Sequence, residues 1–266
     1  MKPIKIFPEG SYVQGIDFSS KIQYNLYIDT IPPVINSDEV NILMLSEPDV
    51  ISGICKHLPK YDKLFDYILT HNQDVIEKYD NAILFTFNSI WASNKEYIKD
   101  FSISTIVGHK IWTKYQVMRQ ELWYEQDKIP NKKFFASSFG QPGELLGNPI
   151  IGNDKDELFN SQFHIAIEND VKANWFSEKL LDCFISKTIP IYCGCPNIGE
   201  YFNEKGIIKF SNIKECIEIC KNVNENTYQE MLPTIEENYN KALEYYDWQK
   251  RVKDVLEQIK IKKFSE

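Results

Sequence analysis

Apolar, β-leaning runs alternate with stretches of helical spacing along most of the chain. Val40 to Leu45 (VNILML), Phe65 to Leu69 (FDYIL) and Ala82 to Thr86 (AILFT) predict buried strands with helical segments between them. The first two end in polar groups, Ser46-Glu47-Pro48-Asp49 and Thr70-His71-Asn72-Gln73-Asp74. Ahead of them lie only short β-like runs such as Tyr24 to Ile28, in a stretch broken by Pro3, Pro8, Pro32 and Pro33. A second series opens with FSISTIVG from Phe101 to Gly108. It continues through a long helix from Lys110 to Tyr124, carrying Trp112, a strand from Lys133 to Ala136, and a Gly- and Pro-rich loop from Gln141 to Asn153. Strands from Phe163 to Ile167, Ile189 to Tyr192 and Gly206 to Phe210 follow, with helices from Glu178 to Ser186 and from Ile213 to Asn222. This alternation predicts an α/β fold built on parallel sheets. It divides near Asp100 into domains 1–100 and 101–230. A helical segment over 231–266 closes the chain, where Trp248, Val252, Val255, Leu256 and Ile259 recur every three or four residues. That last helix is expected to pack across both domains.

The most informative stretch is Phe163 to Phe202. Strand, polar loop, helix and strand with so short a crossover make a right-handed βαβ unit. In open parallel sheets a ligand sits beyond the carboxyl ends of the strands, here at Glu168, Asn169 and the loop to Ser177. Ser177 stands as the N-cap of the helix, whose free N–H groups and dipole favour an anion, and Lys179 adds a positive charge in the first turn. Glu178 beside it suits hydrogen bonds from sugar hydroxyls, and Trp175 suits the face of a base or sugar ring. A nucleotide-sugar fits this mixture of groups.

The residues Glu168-Asn169, Ser177-Glu178-Lys179-Leu180-Leu181-Asp182 and Thr188-Ile189-Pro190-Ile191-Tyr192-Cys193-Gly194-Cys195-Pro196 resemble the donor-binding signature of glycosyltransferase family 10, the α-1,3/1,4-fucosyltransferases, in its bacterial or viral type. The resemblance implies a GT-B-like fold, two Rossmann-like domains facing across a cleft. It implies an N-terminal acceptor side, a C-terminal donor side, and inverting transfer of fucose from GDP-fucose to a glycan hydroxyl. It also implies an arginine on the helix after the FSISTIVG strand that contacts the donor diphosphate, which here is Arg119. The family's base is a glutamate in the loop after an FDY-like strand. Phe65-Asp66-Tyr67 is present, but the glutamate's place falls on Gln73, which cannot take a proton. Asp74 is therefore the first candidate base and Glu47 the second, with His71 behind them. A transferase for another nucleotide-sugar, or a homologue that binds nucleotide-sugar or glycan without transfer, stays open because of Gln73.

Composition narrows the field further. The chain has 266 residues, enough for two compact domains, and a formal net charge of −8, which argues against nucleic acid or anionic membrane as the main partner. The start MKPIKIFPEG has no apolar core of a signal segment, and the natural expectation is a cytoplasmic protein. A weak membrane-surface contact through Lys260, Lys262 and Lys263 of the last helix is a lesser expectation. No metal or other cofactor is expected, the GDP-sugar being a co-substrate. Asp154-Lys155-Asp156 matches the D-x-D pattern by composition only, the six cysteines lack zinc or disulfide spacing, and no G-x-S-x-G elbow exists.

Overall fold

The structure is a computed structural model that describes residues 1–11, 14–137, 149–150 and 155–265. It divides into two compact units. The first holds Met1–Asn88, Ala173–Trp175 and Asp247–Glu266, and the second holds Ser89–Lys172 and Phe176–Tyr246.

The first unit is built on a five-stranded parallel sheet: β1 (Lys5–Phe7), β2 (Tyr24–Ile28), β3 (Val40–Leu45), β4 (Tyr67–Thr70) and β5 (Ala82–Leu84), in the order β1-β2-β3-β4-β5. Strand alternation sends side chains to both faces. Leu26, Ile28, Val40, Ile42 and Met44 enter one core, while Tyr27, Leu43, Leu45 and Ile68 enter the other with Leu58 and with Val75 of helix α1 (Gln73–Lys78). The first of these cores is completed by Val252, Leu256 and Ile259 from the last helix, Trp248–Ser265. Each such side chain contributes on the order of 1.5–3 kcal/mol on burial.

The second unit carries β6 (Asp100–Val107), β7 (Lys132–Ser137), β8 (Pro149–Ile150), β9 (Ser161–Ile167), β10 (Ile189–Cys193) and β11 (Ile208–Lys209). All pairs are parallel and the order is β8-β7-β6-β9-β10-β11. The chain runs outward from β6 to one edge, returns, and runs outward from β9 to the other, as in doubly wound nucleotide-binding sheets. Helix α2 (Lys114–Tyr124) follows β6, α3 (Glu178–Ile185) joins β9 to β10, and α4 (Ile213–Asn222) and α5 (Glu225–Ala242) come after β11. The helix Trp248–Ser265 is α6.

Several boundaries differ from the sequence expectation for identifiable reasons. Helix α2 starts at Lys114 rather than Lys110, because Thr113 and Gln116 form a reciprocal capping box, and Trp112 therefore sits in the preceding loop. The division expected near Asp100 falls between Asn88 and Ser89. Trp91 and Ala92 donate their N–H groups to Asp182 in α3, and Ser93 N–H and the Tyr97 hydroxyl bond Asp156, so this stretch is held to the second unit. The segment expected as one helical piece over 231–266 is interrupted between α5 and α6, and α6 groups with the first unit. Its apolar face is used in that core, and Lys260 donates to the Ser19 carbonyl at 3.2 Å. The side chains of Lys262 and Lys263, and Asp154 of the D-x-D triplet, lie outside the described residues. So does the loop from Gln141 to Asn153 except Pro149 and Ile150, which form β8. Among the described residues no helix is long and apolar enough to cross a membrane.

Candidate active site

The strand order reverses between β6 and β9, and the carboxyl ends of these two strands open the crevice where a ligand is expected. Arg119, on α2 after β6, reaches across this point. Its Nε donates to the Ile167 carbonyl at the end of β9 (2.9 Å) and its Nη2 to Asn169 Oδ1 (2.9 Å). Gln116, one turn earlier, is 3.5 Å from the same Asn169 oxygen. Asn169 therefore fixes the guanidinium from one side. Burial presses the arginine toward losing its charge, and the carboxylates of Glu168 and Glu178 oppose that.

Glu168 is fully buried and turned inward. Its carboxylate accepts from Ser177 N–H (2.8 Å) and Ser177 Oγ (2.6 Å), with the Tyr192 hydroxyl at 3.5 Å. It shapes the loop that delivers the α3 N-terminus. Gly194 lets this happen: a Cβ there would meet the Tyr192 hydroxyl at 2.2 Å and Glu168 Cγ at 2.6 Å, closer than any side chain allows. Ser177 caps α3, as the sequence predicts.

At the first turn of α3 the charges crowd together. Lys179 Nζ lies 2.8 Å from Glu178 Oε1 and 3.3 Å from Ser177 Oγ, while Lys155 Nζ lies 3.9 Å from the same Glu178 oxygen. Burial works against the charge of Glu178, but the ammoniums of Lys179 and Lys155, with hydrogen bonds from Lys179 and Ser177, bring its carboxyl down to about 2. Burial likewise opposes the Lys179 charge, and Glu178 and Glu168 restore it, so its pKa ends above the usual lysine range. Lys155 goes the other way: burial, aided by Lys179 and Arg119, lowers it against the pull of Glu178 and Asp182. One turn on, burial raises the carboxyl of Asp182 to about 7. Lys155 and Lys179 thus flank the Glu178 carboxylate at a helix N-terminus, with Arg119 bonded to the end of β9, a local concentration of positive side chains within an acidic protein.

In the first unit polar groups also follow the strands. Asp29, after β2, adopts φ +45° and accepts from Ser46 N–H (3.0 Å), the Ser46 hydroxyl and Glu47 N–H (3.4 Å). This fixes the backbone of Glu47, half-buried just beyond the central strand β3. Asp74 is exposed in the first turn of α1, where Asn72 is the N-cap and takes the Asp74 N–H. His71 is buried, its pKa lowered to about 4 because burial outweighs a hydrogen bond to Leu45. Its ring lies 4.7 Å from that of Trp175, which is only 5 % exposed and so presents no open face to a base or sugar in this structure.

The sequence model of the C-terminal part of glycosyltransferase family 10 (fucosyltransferase) matches residues 131–265, half of the chain. The chain belongs to this family. An α-(1,3)-fucosyltransferase, FucT of Helicobacter pylori, is 32% identical over 87 residues, which is 31% of this chain and 18% of that protein, so the match spans less than a fifth of the relative's length. The crystal structure of an α1,3-fucosyltransferase with GDP-fucose shares the fold over 87% of this chain and 78% of its own, at 16% identity and a TM-score of 0.54. That of TarM shares it over 88% of this chain and 54% of its own, at 11% identity and a TM-score of 0.55. The likeness to both is one of fold, the GT-B-like α/β class with two Rossmann-like units.

Family 10 membership matches the motif by which the sequence resembled it. Of the expected residues, Arg119, Asn169, Glu178 and Lys179 are gathered in the second unit. Trp175 groups with the first unit beside His71. Sequence reasoning missed Lys155 as part of the charged cluster, treating it only as the middle of D-x-D. Asp156 of that triplet is a fold residue, bonded by Ser93, Tyr97 and Lys95. Asp182 and Asp29 also went unread as anchors, since their partners lie far away in sequence. His164 is a core residue: its Nδ1 lies 2.8 Å from Ser104 Oγ inside the sheet.

Proposed function

We propose that this chain is an inverting fucosyltransferase that moves fucose from GDP-fucose to a glycan hydroxyl. The observation that carries the reading is the cluster of Arg119, Lys155 and Lys179 at the switch point and the α3 N-terminus. Family membership and the GDP-fucose named for a fold relative favour this donor over other nucleotide-sugars. In the proposed reaction the acceptor oxygen forms a bond to the anomeric carbon as the carbon–oxygen bond to the diphosphate breaks. The acceptor's proton passes to a carboxylate, and the departing negative charge falls to Arg119, Lys179 and the amides of α3. Asn169 holds Arg119 in place, and Glu178 accepts hydrogen bonds from donor hydroxyls. No metal is assigned a part in this scheme.

The base is proposed to come from the strand ends of the first unit. Glu47 is favoured over Asp74, because a base must be held in place and Glu47 is half-buried on a backbone clamped by Asp29. Asp74 is exposed to solvent on a helix turn. The second reading, binding without transfer, has one observation in its favour: Gln73, at the place expected for the family's base, bonds Glu77 and Asn174 with its amide.

A panel of nucleotide-sugars scored by thermal shift, followed by transfer to a broad acceptor set, tests both. GDP-fucose should give the largest shift, since a ligand of the native state raises its melting temperature by mass action. A larger shift with a UDP-sugar would redirect the donor assignment. Tight binding of GDP-fucose with no transfer to any acceptor would favour the binding-only reading.

A further inference from the structure

An exposed indole adjoins the charged cluster, and the proposed transfer leaves it without a role. Trp91 is 53% exposed, yet its segment is firmly held. Its N–H and that of Ala92 bond Asp182 Oδ1 at 2.7 and 2.9 Å, and its indole Nε1 donates to Ser89 Oγ at 2.9 Å. Two residues on, Ser93 N–H bonds Asp156. Asp182 belongs to α3, one turn beyond Glu178, so the helix that presents the anion site also anchors the backbone of this tryptophan. Lys155 joins the two: its ammonium lies 4.0 Å from the centre of the Trp91 ring and 3.9 Å from Glu178 Oε1. All of these groups belong to the second unit.

We propose that Trp91 and Lys155 form the nucleobase subsite of the donor site, with the indole as stacking platform and the ammonium holding that ring in place. The proposal rests on the reading of the α3 N-terminus as the donor diphosphate site. A nucleoside diphosphate carries three chemistries in a fixed order: anion, hydroxylated ribose and flat aromatic base. The cluster offers their complements in the same order, with Lys179 at the anion, Glu178 at the hydroxyls, and Lys155 with Trp91 at the base. A purine has a π-face that an indole covers, and the ammonium over the ring holds the indole by a cation–π contact. Holding the backbone through Asp182 and Asp156 fixes the platform before the ligand arrives, which reduces the ordering cost of binding.

The experiment compares three probes, GDP-fucose, GDP and inorganic pyrophosphate, by calorimetry on the full chain and its variants. Trp91→Ala is expected to weaken GDP and GDP-fucose alike by about 10- to 100-fold, the scale of a lost base–aromatic stack, and to leave pyrophosphate binding unchanged. Trp91→Phe should keep most of the affinity, and Lys155→Met should weaken GDP but pyrophosphate much less. Loss confined to GDP-fucose would make Trp91 a sugar platform and overturn the proposal, as would undiminished GDP binding by Trp91→Ala. Should Trp91→Ala be poorly folded, as its ligand-free melting temperature would reveal, Trp91→Phe and Lys155→Met decide. Retained GDP affinity in Lys155→Met then counts against the subsite. Lys179→Ala separates this from the underlying reading. It should weaken all three probes, and if it weakens none, the donor-site assignment itself is wrong whatever Trp91 does.

Discussion

The two units share parallel sheets and helices on their faces but differ in the order of their strands. In the second, the chain returns to the middle and sets off the other way, so β6 and β9 are neighbours with their connections diverging. Arg119 can then lie across the gap and bond the end of β9 from the helix that follows β6. In the first, the strands stand in sequence order and no such gap opens. Its strand-end groups bond one another along neighbouring connections instead, as Asp29 does with Ser46 and Glu47. Topology thus decides where a cluster of like charges can gather. We take the second unit to bind the anionic donor and the first to supply the proton acceptor, and this division can be broken by experiment.

The largest expected effect is on turnover. Glu47→Gln should lower the transfer rate by about 10²–10⁴, the usual scale for a general base, while GDP affinity stays at the wild-type level. Asp74→Asn should change the rate several-fold at most. A dead Asp74→Asn beside an active Glu47→Gln would reverse the assignment, and loss of GDP binding in either would undo the division of labour. Next in size is Lys179→Ala, which removes a charge-assisted contact of about 1.5–3 kcal/mol and should weaken GDP binding by about 10- to 100-fold in titration calorimetry. Unchanged affinity would take Lys179 out of the site.

A smaller effect concerns stability and pH. The carboxyl of Asp182 is raised to about 7 by burial, above its ordinary value near 4. Its contribution is therefore complete below about pH 4 and lost as pH rises through 7. Asp182→Asn, which can still accept both N–H bonds through its amide oxygen, should melt progressively higher relative to wild type as pH goes from 5 to 8. A constant offset across that range would mean the carboxyl does not titrate there. The smallest expected effect is none at all: transfer should persist in EDTA, because the cations assigned to the leaving diphosphate are side chains. An absolute requirement for Mn²⁺ would move the mechanism to metal assistance.

The second unit is the more legible of the two in the sequence, and for a local reason. Ser177 as N-cap, the apolar spacing of α3 and the buried strands on either side are all signals within a few residues of one another. What could not be read are features made by distant partners. Trp112 extends the helical pattern on paper, but the capping box of Thr113 and Gln116 ends it first. Ser89 to Lys99 has no period of its own, and its place in the second unit depends on Asp182 and Asp156, far along the chain. The role of Lys155 depends in the same way on Glu178 and Trp91. The neighbours of Trp175 in sequence put it in the loop expected to meet the donor. Its ring instead lies beside His71, a hundred residues earlier.

The last helix bears on how the chain can be made and divided. Val252, Leu256 and Ile259 cover one face of a sheet whose five strands are all synthesised before residue 88. During synthesis that face, with Leu26, Ile42 and Met44 on it, lacks those three covering side chains until residues 252–259 have been made. The second unit, by contrast, is complete by Tyr246. The family-matched region, residues 131–265, begins within one unit and ends in the closing helix of the other. A cut at its start would therefore yield two pieces, neither of which contains a whole unit. A division that respects the cores would keep residues 1–88 joined to α6, and circular permutation is the natural way to bring them together.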